Sequence, residues 1–507
     1  MKAFSKLNNI MKPFSGIQGS MFKVRCSKFG FLLALSFAFC IAHFAPAAIP
    51  RPPRNPKPNI IFILADDLGY GDLGCYGQAK IKTPNLDQLA KEGMRFTSFY
   101  AGSTVCAPSR ATLMTGIHTG HNVIRGNSPN QSLRTNDVTL AQVLDTVGYQ
   151  CGIIGKWGLG NEGSPGVPSQ KGFNEFLGYL DQYHAHDYYT AHLFRYDGRN
   201  GFEGTVQFPD NEGGAKGRYT HDVFTKAALN YISINTPQFA NRWRPFFLYL
   251  AYTIPHANDE EGKRTGNGMQ VPSDEPYTRE SWPQTEKNKA AMITRLDRDV
   301  GRIRDKLHDL KLDDKTAIFF ASDNGPHQEG GVDPKFFQSS GPLRGHKRDM
   351  YEGGIRVPMI AWWPGKIKAG QTNNAPWAFW DVLPTIAQMA DAKPLTNIDG
   401  ISFLPTLLGR PQTNHHDFLY WEFHERGFQQ AARSGDWKAI RPQADESLEL
   451  YNLASDLSEK TNVAEKNPEV VAKMEKYLKT ARSDSAGWPI RRPPNARQAP
   501  KKSEQTN

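Results

Sequence analysis

A chain of 507 residues that is 39% hydrophobic, with 45 glycines and 35 prolines, can bury a large core, which excludes a disordered or low-complexity protein. The net charge of +10 does not mark a nucleic-acid binder: residues 1–47 carry six bases and no acid, residues 482–507 carry six bases and two acids, and the stretch between is balanced. Five cysteines, two of them within the first 47 residues, exclude a disulfide scaffold, and spacing does not say whether Cys75 and Cys151 pair.

Lys23, Arg25 and Lys28 precede an apolar run from Phe29 to Phe44, and Ala45-Pro46-Ala47-Ala48 offers small residues for cleavage. Residues 1–47 are therefore expected to be a secretory signal peptide, too short for a stable membrane span, and the protein to be periplasmic or extracellular. Met11 and Met21 leave the true start open. A linker, 48–58, follows. Asn59–Ala65 is a continuous apolar run, as expected of a strand buried on both faces, and it ends in Asp66-Asp67. Two adjacent carboxylates repel unless a cation or basic group neutralises them; otherwise one is a helix cap and the other solvated. Pro84–Met94 reads as an amphipathic helix.

Ser103–Gly116 then places a thiol, Cys106, two residues before Pro108 and four before Arg110. Proline suits a first helical turn, so Cys106 is expected in the loop just before a helix, facing backbone N–H groups, with Arg110 returning to the same side. Thr139–Val147 is another helix, and Tyr149–Gly155 a second buried strand that delivers Lys156 into a glycine-rich turn. Asp181–Tyr189 gathers Tyr183, His184, His186 and Tyr189. Three readings stay open for it: a sugar-binding loop, a transition-metal pair, or structural packing.

Pro245–Ala251, a strand, leads to His256, and the polar stretch 257–284 reads as a pocket rim. Apolar residues at helical spacing predict a helix over Lys287–Leu310. Thr316–Ser322 is a third buried strand ending in Asp323-Asn324. Joined to Asp66 and Asp67, these hard oxygen donors suit Ca²⁺ or Mg²⁺ better than zinc. Val357–Trp363 is a further strand. Beyond Asp399, Phe418–Trp421, Gln430–Arg433 and Trp437–Arg441 read as short antiparallel strands, Pro468–Ala481 as a closing helix, and 482–507 as a disordered basic tail.

Cys106-Ala-Pro108-Ser109-Arg110-Ala-Thr-Leu113-Met-Thr115-Gly116 resembles the signature of the type I, arylsulfatase-like sulfatases of the alkaline phosphatase superfamily, whose cysteine is oxidised after synthesis to formylglycine. Gly155-Lys156-Trp157-Gly158-Leu159-Gly160 resembles their Gly-Lys-Trp-His-Leu-Gly, with Gly158 in place of a histidine that contacts the formylglycine. Leu343-Arg344-Gly345-His346-Lys347 through Tyr351-Glu352-Gly353-Gly354 resembles a third family segment. The motifs keep the family's order from Asn59 to about Leu478.

The resemblance implies an alkaline-phosphatase-like α/β fold: a large mixed β-sheet sandwiched by helices over 59–400, and a smaller C-terminal α+β domain over 401–481. It implies Ca²⁺ (or Mg²⁺) on Asp66, Asp67, Asp323 and Asn324, and a formylglycine hydrate at residue 106 as nucleophile. Arg110, Lys156 and Lys347 would bind sulfate charge, and His256 or Lys347 would protonate the leaving oxygen. His184 or His186 is expected to stand in for the missing histidine, with Tyr183 beside them on substrate. The implied partners are a sulfated carbohydrate or other sulfate ester and a formylglycine-generating maturation enzyme, with no nucleic acid. The competing functions are hydrolysis of small aryl sulfates, hydrolysis of phosphate or phosphonate esters on the same fold, and non-catalytic binding of sulfated glycans.

Overall fold

Asn59–Ala65 forms strand β1, whose alternate residues feed two separate cores: Ile60, Phe62 and Leu64 one, Ile61, Ile63 and Ala65 the other. The computed structural model describes residues 53–490; the expected signal peptide and the basic tail past residue 490 lie outside them. Around β1 stand β2 (Met94–Phe96), β3 (Gln150–Lys156), β4 (Glu175–Tyr179), β5 (His192–Asp197), β6 (Phe202–Gln207), β7 (Phe246–Ala251), β8 (Thr316–Ser322), β9 (Met359–Trp362) and β10 (Gln371–Asn373). Their order across one ten-stranded sheet is β10-β2-β9-β8-β1-β7-β3-β4-β5-β6. The five central strands, β8-β1-β7-β3-β4, are mutually parallel, and antiparallel pairings of β9 with β8 and of β5 with β4 begin the two flanks.

Helices cover both faces. Helix α1 (Pro84–Glu92), α2 (Cys106–Thr115), α3 (Leu140–Asp145), α4 (Thr220–Ile234), α5 (Gln284–Asp309) and α6 (Val382–Met389) divide between the cores. Leu113, Leu140, Leu144, Leu383 and Ile386 bring α2, α3 and α6 to one face; Leu86, Leu89, Phe224, Leu296 and Val300 bring α1, α4 and α5 to the other. A four-stranded antiparallel sheet follows, β11 (Leu419–Phe423), β12 (Gln429–Ser434), β13 (Trp437–Arg441) and β14 (Glu449–Asn452), closed by α7 (Pro468–Thr480) through Met474 and Leu478.

Several elements depart from the sequence reading. Helix α1 ends at Glu92, and the chain turns into β2 at Gly93, where β9 comes so close that a Cβ would sit 2.2 Å from the Ala361 carbonyl. The strands β4, β5 and β6 carry no long apolar run; β6 is largely exposed, so only its pairing with β5 reveals it. Strand β14, which is not among the expected strands, pairs with β13. Cys75 and Cys151 are both free. Among the described residues, no helix is long and apolar enough to cross a membrane.

A buried ion cluster ties the two sheets together. Lys438 on β13 lies 2.9 Å from Glu352 and 3.0 Å from Glu459, and all three are fully buried. Glu352 also takes hydrogen bonds from Tyr100 and Arg356.

At the far end of α2, His118 is packed between Trp380 and Tyr420 and stacked on His121. Burial pushes it down to about 4. Its imidazole is thus neutral in the fold and protonates near 6.5 when unfolded, so its contribution to stability is complete above pH 6.5 and is lost as pH falls toward 4. The unfolding temperature is expected to drop between pH 7 and pH 5, with a shallower drop in His118→Phe. Equal slopes in thermal melts of the two proteins would count against this assignment.

Candidate functional site

Because β8, β1, β7 and β3 run parallel, their carboxyl ends meet at one edge of the sheet, a position where α/β folds place ligands. Asp66-Asp67 leaves β1, Asp323-Asn324 leaves β8, Lys156 ends β3, and His256 follows β7. Close approach at this edge needs glycine: a Cβ at Gly155, whose φ is +108°, would lie 1.9 Å from the Ala251 carbonyl.

Cys106 is the first residue of α2, not part of the loop before it. The helix starts there because Val105 is extended and serves as the cap residue, and because Pro108 falls among the first N–H groups, which no helix pairs internally. One of those groups, Ala107 N–H, donates to Asn127 Oδ1 at 3.0 Å. Ser109 Oγ anchors the helix by donating to the Asp323 carbonyl. All ten residues of α2 are buried, and the Cys106 thiol meets Asp66 Oδ1 at 3.4 Å. Burial and the Asp66 carboxylate push this thiol well up, so a free thiolate is strongly disfavoured.

The carboxylates interlock. Asp66 Oδ2 receives Lys156 Nζ at 2.7 Å and lies 3.4 Å from Arg110. Burial opposes its ionisation, yet Lys156 and Arg110 hold it well below the usual range. Asp323 Oδ2 accepts Nε and NH2 of Arg110 at 3.1 and 2.7 Å. Its Oδ1 accepts the Asp67 N–H. Asp67 adopts φ +63°, unusual for a residue with a Cβ, and is held there by Asn324 Nδ2 at 2.6 Å and Lys347 Nζ at 2.9 Å.

Two observations test whether a cation suits this cluster. Asn324 Oδ1 is buried with no hydrogen-bond partner. Burial and the Asp66 charge push Asp323 up, so the crowded carboxylates carry a repulsion that a divalent cation would relieve. The carboxylates of Asp66, Asp67 and Asp323 and the Asn324 amide offer hard oxygens, and those of Asp66 and Asp67 lie within 4.8 Å of ligand atoms of Cys106 and His256. The residues fit Ca²⁺, with Mg²⁺ the smaller alternative.

Above this floor opens a cavity of about 600 Å³. Cys106, His256 and Lys347 reach it from below, while Tyr183, His186 and Arg348 belong to its walls. Lys347 Nζ lies 3.1 Å from His256 Nε2 and 3.1 Å from Glu329. Burial opposes its charge, but Asp67 and Glu329 hold it charged well above its usual range. Burial and the Lys347 charge push His256 well down. Its Nδ1 lies 2.6 Å from the Ala257 carbonyl, which assigns the proton of the neutral ring to Nδ1 and leaves Nε2 as an acceptor.

Of the sequence candidates, the structure brings Asp66, Asp67, Cys106, Arg110, Lys156, His256, Asp323, Asn324 and Lys347 into one constellation. Arg110 and Lys156 are sealed beneath it against carboxylates. His184 and His186 share a single 3₁₀ turn but diverge: His186 stacks on His256 at 4.8 Å and meets Glu260, whereas His184 packs against Tyr179 and His192 and pairs with Thr190. Tyr183 projects from the rim, 63% exposed. Sequence reasoning missed Glu329, which follows Asp323-Asn324 by only a few residues in a polar turn, and Asn127, which no local pattern marks.

A family profile described as Sulfatase matches residues 58–392, and one described as N-sulphoglucosamine sulphohydrolase, C-terminal, matches residues 345–484. Human arylsulfatase A is 34% identical over 439 residues, covering 79% of this chain and 76% of that relative. An N-acetylgalactosamine-6-O-sulfatase of Bacteroides thetaiotaomicron is 29% identical, covering 85% of this chain and 94% of that one. The crystal structure of Ps i-CgsB in complex with k-i-k-neocarrahexaose superposes with a TM-score of 0.71 at 29% identity, covering 86% of this chain and 95% of the other.

Proposed function

The chain belongs to the sulfatase family and hydrolyses sulfate esters, and from that premise we propose that its substrate is a sulfated carbohydrate met outside the cytoplasm. The observation that carries this reading is the cavity itself: a buried nucleophile position and a charged lysine lie at the bottom of an open, polar and aromatic vestibule. A relative named N-acetylgalactosamine-6-O-sulfatase and a solved structure in complex with k-i-k-neocarrahexaose support the same substrate class. The leader-like residues 1–47 support export.

In this reading Cys106 is converted to formylglycine by a maturation enzyme, and Asp66, Asp67, Asp323 and Asn324 hold Ca²⁺. Formylglycine supplies a hydrated aldehyde as nucleophile and Ca²⁺ a Lewis acid that offsets negative oxygens. The chain's own residues do the rest. Arg110 and Lys156 fix the carboxylates in place and spread positive potential under the reacting group. Lys347, held protonated by Asp67 and Glu329, is the proton donor that faces the leaving oxygen. His256 accepts from Lys347 at Nε2 and so aims the ammonium group. A sugar alkoxide is a strongly basic leaving group, which is why a positioned donor matters here.

The test is sulfate release from defined sulfated oligosaccharides beside an aryl sulfate and matched phosphate and phosphonate esters. Sulfated saccharides are expected to be turned over fastest, and prolonged chelation to remove activity and lower the unfolding temperature. Faster turnover of phosphate or phosphonate esters would overturn the reaction assigned here, and faster turnover of the aryl sulfate would overturn the substrate class.

A further inference from the structure

One polar group in the cavity wall has no partner in the fold. Both the nitrogen and the oxygen of the Gln182 side-chain amide are buried and unpaired. Leaving such a group unsatisfied is costly, and native folds rarely do so without a use. Gln182 lines the same cavity as Cys106, His256 and Lys347.

Its place is fixed by backbone. Past the ends of β3 and β4 the two chains stay paired, with Trp157 N–H donating to the Tyr179 carbonyl and Gly158 N–H to the Leu180 carbonyl at 3.0 Å. That pairing sets the next residues, Asp181 and Gln182, over Gly158. A Cβ built on Gly158 would lie 2.0 Å from Gln182 Nε2 and 3.2 Å from its Cδ. The amide therefore fills the space into which a side chain at 158 would project. Gly158 also holds φ +75°, a conformation that L residues seldom adopt. Glycine at 158 and glutamine at 182 are thus one arrangement, not two separate features.

We propose that the Gln182 carboxamide is a sulfate-binding group that takes over the wall position left empty by Gly158. Resting on the sulfatase reading above, the proposal has the amide, sealed in the fold as it stands, turn about its own side-chain bonds into the cavity that its stem lines and donate a hydrogen bond to an oxygen of the bound anion. Which end of the amide points where is settled by the ligand, since both ends are unpaired. The amide carries no charge and does not titrate near neutrality. It holds an oxygen in place without taking up a proton, so neither His184 nor His186 is required to fill this position.

Inorganic sulfate is the probe, titrated calorimetrically into wild-type protein and into Gln182→Leu, which keeps most of the volume and removes the hydrogen bonds. Sulfate affinity is expected to fall about tenfold, with a similar loss of potency of sulfate as a product inhibitor. The unfolding temperature without sulfate is expected to stay level or rise, because an unpaired buried amide is removed. A merely structural glutamine would instead lower it. Gly158→His alone is expected to destabilise the fold, and Gln182→Ala to relieve part of that loss in the double variant, which reports the contact independently of any ligand. If Gln182→Leu binds sulfate within twofold of wild type and keeps its kcat/KM, the proposal is wrong while the sulfatase reading stands. If sulfate binding depends on Gln182 but no sulfate ester is turned over, the reverse holds.

Discussion

Cys106→Ala is expected to abolish sulfate release, on the order of 10⁴-fold or more, as does loss of a nucleophile elsewhere. The side chain sits at the one point where the cavity, the carboxylate cluster and the start of α2 meet. Alanine keeps the helix start, since neither the Val105 cap nor the Asn127 contact involves the thiol. The unfolding temperature is therefore expected to change little, which separates chemistry from folding. The unmodified thiol is an unpromising nucleophile, because burial and Asp66 suppress its ionisation. Mass spectrometry of the peptide containing residue 106 should accordingly show the converted residue in active preparations. Activity from protein that carries only unconverted cysteine would refute the assignment.

Lys438→Ala should be the most destabilising of the substitutions considered. It strips the cation from between Glu352 and Glu459, leaving two carboxylates in a site sealed from water. Removing one partner of a buried ion cluster costs about 3–5 kcal/mol, far more than the cluster contributes relative to an apolar replacement. Burial already pushes Glu459 up to about 7 despite Lys438, while Lys438 and Arg356 hold Glu352 down at about 2 against its own burial. Arg356 still pairs with Glu352 when the lysine is gone, so the loss falls mainly on Glu459 and on the repulsion between the two carboxylates. Denaturant titration should show the loss, and adding Glu459→Gln to Lys438→Ala should restore part of it. A single variant within about 1 kcal/mol of wild type would mean that the cluster is less isolated than its burial indicates.

The parallel centre of the sheet was legible in the sequence because strands buried on both faces leave continuous apolar runs: Asn59–Ala65, Phe246–Ala251 and Thr316–Ser322 all fall within or on the expected spans. The two acidic pairs, Asp66-Asp67 and Asp323-Asn324, were legible for the same reason, since each directly follows such a run. The outer strands were not, because β6 has exposed residues on both sides and its identity lies in its pairing. Nor does sequence spacing separate His184 from His186. Both lie in one short turn, and only the ring of His256 on one side and Thr190 on the other decides which of them faces the cavity. Gln182 was invisible for a further reason: its significance depends on an absent Cβ at Gly158, a relation between two segments that no local pattern carries.

The depth of Cys106 bears on timing. With 1% of its surface accessible and its neighbours drawn from the ends of strands far apart in sequence, the thiol is out of reach of any protein catalyst once the sheet has closed. Asp67 and Lys347, which meet at this site, are 280 residues apart, so the enclosure forms only after most of the chain is available. Until then Ser103–Gly116 is an open peptide. On the proposed reading, an enzyme that converts Cys106 would have to compete with folding, and the fraction of active molecules would become a ratio of two rates. Conditions that hasten closure, or a host that delays modification, would yield correctly folded protein that is permanently inert.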